Sequence, residues 1–278
     1  MKLLKLVCIL FIVLIISYSF IYSDAQTYFL KTSSDRPFGI AFDNKGLMYM
    51  ITAPKKGNGT LSKVTPEGRI TDITVLEGNF IGPGIYIDNN NDIFITVGDK
   101  LLKVSLDGKT KIIADGFSRC IDVKVDKNEN IFVADDLQSA IYRISPSGAK
   151  EVFYQSDSLG SFVLTSIALD NMAEYLYARE KNRILRFHID SIGAVEKPEV
   201  IIDNTNTFYL CLDNNNNIYA STIENVVKID TIGRVKYLFN KPLKTSIGIA
   251  IGRKGFDNQS LYIAVEDGII RFPIPVFE

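Results

Sequence analysis

The chain has 278 residues, a formal net charge of −1 and one histidine. This balance of charge argues against a nucleic acid or an anionic membrane surface as the partner. A single histidine excludes zinc chemistry that needs several histidines, and the length suits one large domain.

The N-terminus has the layout of a secretory signal peptide. Lysines precede an apolar run over residues 6–22, and the small residues Ser23 and Ala25 allow cleavage before Gln26. The alternative is an uncleaved signal anchor, because the run approaches the roughly 20 residues that span a bilayer. No basic cluster follows as a stop-transfer signal, which favours removal of residues 1–25. We therefore expect a secreted, extracellular protein that is free of the membrane after cleavage.

From residue 26 to residue 278, one sequence unit occurs six times. Each unit has a β-branched strand that ends at a marker residue, then an Asx-rich turn, an aromatic second strand and further strands. The markers are Asp43, Asp88, Asp126, Asp170, Asp213 and Gly252, which gives a period of 38 to 45 residues. Four strands at a period near 40 residues are typical of a propeller blade. The sequence therefore predicts an all-β fold, a six-bladed β-propeller with four-stranded blades.

The sixth unit has only three convincing strands, over 247–251, 260–265 and 268–272. The segment 27–31 stands unused before the first unit. We predict that this segment supplies the outer strand of the sixth blade and closes the ring, because an open ring would leave unpaired sheet edges.

Cysteine and asparagine residues give two further expectations. Cys120 and Cys211 remain after cleavage and fall on the inner strands of non-adjacent blades. A disulfide needs Cα atoms within roughly 7 Å, so we predict two buried free thiols. Sequons for N-glycosylation at Asn58 and Asn258 suit a eukaryotic secretory route.

Several stretches resemble known propeller families. Residues 130–135 with 141–144 are similar to an NHL repeat, while 166–170 and 183–187 resemble the fourth-blade signature of regucalcin and gluconolactonase. A weaker likeness, in the opening 36–43, is to the insect ommochrome-binding proteins, which are secreted pigment carriers. These motifs encode blade structure, and a fold does not fix a function.

The resemblance to lactonases allows their metal-ligand positions to be located in this sequence. In those enzymes Glu, Asn and Asp at the start of inner strands hold a divalent metal in the channel. The corresponding positions here are Phe38, Thr165 and Phe208, none of which is a good ligand for calcium or zinc. The resemblance therefore implies the scaffold without this metal site, and we predict no catalytic residue and no metal or other cofactor.

Other motifs have structural explanations. His188 lies at a predicted outer-strand position, no Gly-x-Ser-x-Gly elbow occurs, and we expect a structural or surface role for this histidine. The runs 88–92, 126–130 and 213–217 imitate the opening of a calcium loop, but isoleucine follows each where an EF-hand needs glycine. We predict turns whose Asx side chains bond the local backbone.

The central channel is the remaining place for function, because the inner strands converge there. Counting back from each marker gives the candidate ligand-binding residues, which are Phe38, Pro83, Arg119, Asp122, Thr165, Phe208 and Tyr209. This largely aromatic set, with a possible charge pair of Arg119 and Asp122, suits a planar, partly polar molecule. The alternative is that the aromatic rings simply plug a channel without function.

Three functions therefore remain open. The first is a secreted, monomeric binding or carrier protein for a small aromatic or apolar ligand, such as a pigment, held in the channel. The second is a metal-dependent lactonase or esterase with a displaced metal site that uses Asp122 with Asp135 or Asp136. The third is an extracellular protein-interaction module that uses the blade faces.

Overall fold

The computed structural model describes residues 27–32, 35–54, 57–78, 82, 84–189, 197–239, 242–243 and 246–274. The described chain forms six antiparallel sheets of four strands each, whose first strands surround a central channel. The predicted six-bladed β-propeller is confirmed. The predicted signal peptide, residues 1–25, and the candidate Pro83 lie outside the described residues.

The strands follow the blades in chain order. The N-terminal strand is β1 (Thr27–Lys31). Blade 1 has β2 (Arg36–Phe42), β3 (Met48–Ala53), β4 (Gly59–Val64) and β5 (Ile70–Leu76), and blade 2 has β6 (Ile85–Ile87), β7 (Ile93–Val97), β8 (Lys100–Val104) and β9 (Thr110–Ala114). Blade 3 has β10 (Cys120–Val125), β11 (Ile131–Asp135), β12 (Ala140–Ile144) and β13 (Lys150–Gln155), and blade 4 has β14 (Leu164–Leu169), β15 (Tyr175–Glu180), β16 (Arg183–His188) and β17 (Glu199–Ile202). Blade 5 has β18 (Leu210–Leu212), β19 (Ile218–Ser221), β20 (Val226–Ile229) and β21 (Val235–Tyr237), and blade 6 has β22 (Ser246–Ile251), β23 (Ser260–Val265) and β24 (Gly268–Pro273).

The hydrophobic core is divided among the interfaces between blades. In the described residues, six apolar clusters lie one between each pair of neighbouring blades. Every residue of the second strands β3, β7, β11, β19 and β23 is buried, because these strands have a blade on each face. The outer strands β5, β9 and β21 are mostly exposed, in keeping with their more polar sequences.

The marker residues form the turns that follow the inner strands. Asp126 Oδ1 accepts hydrogen bonds from the backbone N–H groups of Asn128 and Asn130, both at 2.8 Å. Asn91 and Asn216 have φ angles of 64° and 60°, left-handed conformations that Asn tolerates better than most residues. The Asx-rich runs are therefore turns, as the sequence predicts.

Ring closure takes place as predicted. Strand β1 pairs antiparallel with β24, from Thr27 opposite Arg271 to Lys31 opposite Gly268. The ring of Phe29 packs edge-to-face against the rings of Phe256 and Tyr262, with centroid distances of 5.4 and 5.6 Å. The two ends of the chain are thus joined by a sheet ladder and by aromatic packing.

Three side chains refine the sequence predictions. Cys120 and Cys211 are both free, but only Cys120 is buried, because Cys211 lies on the channel wall and is half-exposed. His188 is exposed and lies on the third strand of blade 4, not the outermost, with its ring 5.3 Å from that of Tyr175. In the described ranges, no helix is long and apolar enough to cross a membrane.

Replacement of Phe29 by Ala should weaken ring closure. Because Phe29 is half-buried against two aromatic rings, we expect F29A to lower the free energy of unfolding by about 2 kcal/mol and the Tm by roughly 4–8 °C. Calorimetry measures both values. The control T27A, at an exposed position of the same strand, should cost less than about 0.5 kcal/mol. Equal Tm values for the two variants would show that β1 does not hold the ring together.

Candidate functional site

Two rings of residues border the channel, and each blade contributes to each ring one residue that lies in its inner strand or directly before it. The first ring lies four residues before each marker and consists of Gly39, Gly84, Asp122, Ser166, Tyr209 and Gly248. The second ring lies two residues before each marker and consists of Ala41, Tyr86, Lys124, Ala168, Cys211 and Ala250. Both rings line a cavity of about 840 Å³.

The cavity extends to one end of the channel. The strand-entry end is the end of the channel at which the inner strands begin. The turn end is the opposite end, at which each inner strand reaches its marker residue. The cavity lining includes exposed residues of the marker turns, among them Asn89, Lys127, Asn214 and Lys254. The turn end is therefore the open end of this cavity.

Tyr209 lies across the channel at the first ring. Three members of this ring are glycines, and a Cβ atom on Gly84 or Gly248 would lie 2.5 or 2.2 Å from the backbone of the next blade, so these two glycines let neighbouring inner strands approach closely. A Cβ atom on Gly82 would lie 2.9 Å from the Tyr209 hydroxyl, so this side chain reaches from blade 5 to the segment before blade 2. Burial, followed by the nearby charge of Asp122, raises the pKa of Tyr209 to about 12. Tyr209 is therefore a neutral hydrogen-bonding group at physiological pH.

Asp122 connects three blades from the same ring. Its Oδ2 accepts hydrogen bonds from Ser166 Oγ at 2.8 Å and from the backbone N–H of Ile167 at 2.9 Å, both in blade 4. Ser166 Oγ in turn accepts from the backbone N–H of Leu210 in blade 5, at 3.1 Å. Asp122 is only 6% exposed, so these bonds are made in a region of low dielectric, where a lost partner is costly.

Lys124 places a positive charge in the cavity wall. Its Nζ donates to Asp122 Oδ1 at 2.6 Å and to the carbonyl of Val123 at 2.9 Å. The ammonium also lies 5.8 Å from the centre of the Tyr86 ring, a distance at which cation–π attraction acts. An ammonium has three N–H donors, so one donor of Lys124 is left for a molecule in the cavity.

The structure separates the predicted site residues into two groups. Phe38, Asp122 and Tyr209 line the cavity. Arg119, Thr165 and Phe208 are absent from its lining, and the predicted pair of Arg119 with Asp122 is wrong. Asp122 pairs instead with Lys124.

Irregular strand register explains most of this difference. The ladders of blades 1, 3, 4 and 6 each shift register at or just before the first ring, for example between Pro37 and Ile40 in blade 1 and between Leu164 and Ser166 in blade 4. Such a bulge turns a side chain away from the face that strict alternation predicts. Thr165 consequently donates its hydroxyl to the carbonyl of Phe208 at 2.7 Å, between blades.

The carboxylates of the alternative metal site are engaged by the protein itself. Asp136 binds Arg119 through two hydrogen bonds, one of them from Nε at 2.6 Å. Asp135 accepts from the backbone N–H groups of Ser118, Arg119 and Gln138. Within the described part of the chain, no three His, Cys, Asp or Glu side chains cluster in a way that could hold a metal ion.

Sequence reasoning missed Lys124 and Tyr86 in the second ring and Arg179 near the strand-entry end. The second ring follows from the marker period alone, two residues before each Asp or Gly. Arg179 is 5% exposed, and five equivalent positions in the other blades are uncharged. A charged residue at a position that is uncharged in the other five blades is the sequence signal that could have identified Arg179.

Comparison with known proteins supports the scaffold. No family model and no curated protein matches the sequence. A gluconolactonase from Xanthomonas campestris is structurally similar, with 14% identity, 88% of each chain covered and a TM-score of 0.73. A virginiamycin B lyase from Staphylococcus aureus has 18% identity over 87% of this chain and 85% of that chain, with a TM-score of 0.60. A chain of the nidogen–laminin complex has 17% identity over 83% and 86%, with a TM-score of 0.63. At these identities the likeness shows the fold alone, a propeller scaffold related to those of lactonases and lyases.

Replacement of Asp122 by Ala should destabilise the ring. The change leaves Lys124 without its carboxylate and the donors of blade 4 without an acceptor, so we expect a loss of about 3 kcal/mol and a fall in Tm of roughly 6–12 °C. Denaturant unfolding measures the loss. The matched control D92A removes the exposed partner of Lys103 and should cost less than about 1 kcal/mol. A D122A protein as stable as D92A would contradict the bridging role.

The two thiols should react slowly with alkylating reagents. Burial raises the pKa of Cys120 to about 12 and raises the pKa of Cys211 above its ordinary value. Because the thiolate is the nucleophile, alkylation at pH 8 should be on the order of a thousandfold slower than for an exposed cysteine and should accelerate as the pH rises. Peptide mapping after iodoacetamide treatment measures the rate at each thiol. Alkylation of either thiol as fast as an exposed cysteine would contradict the assigned burial.

Proposed function

We propose that this protein is a secreted small-molecule-binding propeller whose ligand occupies the cavity at the turn end of the channel. The observation that carries the proposal is the cavity of about 840 Å³ bordered by both six-residue rings. Ligand pockets commonly have volumes of roughly 300–1,000 Å³ and combine apolar walls with a few placed polar groups. Secretion and a monomeric state remain predictions from the sequence.

The two rings favour a ligand with one flat apolar face. Blades 6 and 1 contribute only small residues, which are Gly39, Ala41, Gly248 and Ala250. Blades 2 and 3 contribute Tyr86 and Lys124, and Tyr209 crosses the channel at the first ring. A planar molecule has space beside the small residues, where it can direct a hydrogen-bond acceptor toward the remaining donor of Lys124.

Binding explains the residues better than metal-dependent hydrolysis does. The positions that correspond to the lactonase metal ligands carry Phe38, Thr165 and Phe208, and the Thr165 hydroxyl is bonded to a backbone carbonyl. The carboxylates of Asp135 and Asp136 accept hydrogen bonds from protein donors. The sequons at Asn58 and Asn258 are both exposed, as glycosylation during secretion would require.

Native mass spectrometry of the protein purified from a secreting host tests the proposal. We expect a small organic molecule to travel with the folded protein and to leave on denaturation. Substitution of Lys124 by Gln should weaken its binding at least tenfold, because the charged donor in the cavity wall is lost. The control K103Q removes a lysine that likewise pairs with an aspartate and stacks on an aromatic ring, but outside the channel, and should have no effect.

A different result would favour the lactonase or esterase alternative. An empty cavity, one tightly bound divalent ion, and hydrolysis of lactones or esters that a chelator abolishes would together overturn the proposal. Binding that K103Q and K124Q weaken equally would place the ligand outside the channel.

A further inference from the structure

Arg179 is a buried cation without an acidic partner. The residue is 5% exposed, Nη1 donates to the carbonyl of Phe162, and Nε is buried without an acceptor. Burial lowers the pKa of Arg179 to about 10, and no carboxylate of the described chain offsets this effect. The guanidinium is therefore still charged at neutral pH. Buried charges are normally paired, so the missing counter-charge needs an explanation.

Blade packing does not require a charge at this position. The strand registers place five residues at positions equivalent to Arg179, and they are Ile51, Thr96, Ala134, Ser221 and Ala264. All five are uncharged and fully buried. Five blades thus form the same layer with small or apolar side chains, and only blade 4 places an arginine there.

A second arginine at the strand-entry end, the half-buried Arg36, has no acidic partner among the described residues. The guanidinium of Arg36 lies 5.7 Å from the centre of the Phe38 ring, and its Nε is buried without an acceptor. Arg119 occupies the position equivalent to Arg36 in blade 3, seven residues before the marker, and is paired with the buried Asp136. Where an arginine at this position has a structural role, as in blade 3, the chain supplies a buried carboxylate as its partner.

Consecutive residues of blade 5 lie near both arginines. The guanidinium of Arg179 stacks on the Phe208 ring at 5.4 Å, and the charge of Arg36 is among those that act on the Tyr209 hydroxyl. The sequence segments that flank the inner strands at this end but lie outside the described residues are 33–34, 79–81, 83, 240–241 and 244–245. None of them contains Asp or Glu. The chain itself therefore offers no counter-charge from these segments.

Phe162 adds an exposed aromatic surface beside Arg179. Its backbone has a φ of 62°, a left-handed conformation that is unfavourable for a bulky residue, and the residue is 53% exposed. The Arg119 guanidinium lies over the ring, 5.2 Å from its centre. Its backbone N–H donates to Asp136 Oδ2 at 3.2 Å, and its carbonyl accepts from Arg179. Strain of this kind persists where the surroundings enforce it, and it is concentrated at functional sites.

We infer that the strand-entry end binds a small organic oxyanion on an aromatic ring, such as an aromatic carboxylate. Arg179, with Arg36, supplies the counter-charge that the oxyanion needs, and Phe162 and Phe208 supply flat surfaces for the ring. A guanidinium fork matches the geometry of a carboxylate. Neither arginine lines the cavity at the turn end, although Phe38 and Tyr209 do, and the inference does not depend on the proposed function.

Isothermal titration calorimetry on the full chain with three probes tests the inference. The probes are 2-naphthoate, its neutral analogue 2-naphthamide, and inorganic sulfate. We expect naphthoate to bind at least tenfold more tightly than naphthamide, because only the carboxylate can pair with the arginines. Sulfate should compete with naphthoate. Equal binding of naphthoate and naphthamide, or no binding of naphthoate, would overturn the inference.

Arg179→Gln provides the decisive variant, with Arg234→Gln as a control. R234Q removes the same charge from an exposed site in blade 5. We expect R179Q to weaken naphthoate binding at least tenfold and to leave the Tm unchanged or raised, since an uncompensated buried charge is removed. R234Q should leave naphthoate binding unchanged. If R179Q lowers the Tm by several degrees and naphthoate still binds, Arg179 has a structural role and the inference fails.

The channel variant K124Q separates this site from the proposed function. Naphthoate binding that is lost in K124Q but kept in R179Q would place the anion in the cavity at the turn end, and would overturn the inference while supporting the cavity. Loss in R179Q alone supports the second site, whatever the cavity binds.

Discussion

No blade of this propeller can bury its own two faces, and the whole structure depends on that constraint. Each four-stranded sheet covers its apolar residues only by contact with the sheets on either side, which is why the described core consists of six inter-blade clusters. The constraint holds only if the ring is closed. Pairing of β1 with β24 gives blade 6 its fourth strand and ties the two ends of the chain together, and Asp122 links blades 3 and 4 from inside the ring.

The same constraint explains why the fold could be predicted from the sequence. A repeating unit with a marker every 38 to 45 residues specifies the number of blades, the turns and the need for a closing strand. The likeness to gluconolactonase, virginiamycin B lyase and nidogen propellers is that of a shared scaffold. The likeness to ommochrome-binding proteins remains a prediction from short motifs.

The candidate site was less predictable, because side-chain direction near the channel depends on local register. Because of a bulge before the first ring, Thr165 lies between blades, although counting residues back from the marker predicts that it faces the channel. The ion-pair partner of Arg119 could not be predicted from the sequence either. Arg119 pairs with Asp136, a neighbour in space from the adjacent strand, although Asp122 is much closer in sequence. Lys124 could have been found from the marker period, two residues before Asp126, whereas Arg179 was recognisable only as a departure from what the other blades carry at the equivalent position.

Once the ring is closed, the side chains that face the channel are less constrained by packing than those between the blades. In the two channel rings, blades 6 and 1 contribute only glycine and alanine, whereas blades 2 and 3 contribute Tyr86 and Lys124. A crystal structure of the protein with its co-purifying molecule tests the assignment of the cavity most directly. The account predicts density for a planar organic molecule between Ala250 and Lys124. Density for a coordinated metal ion in the channel, or for an organic molecule only on the blade faces, would contradict it.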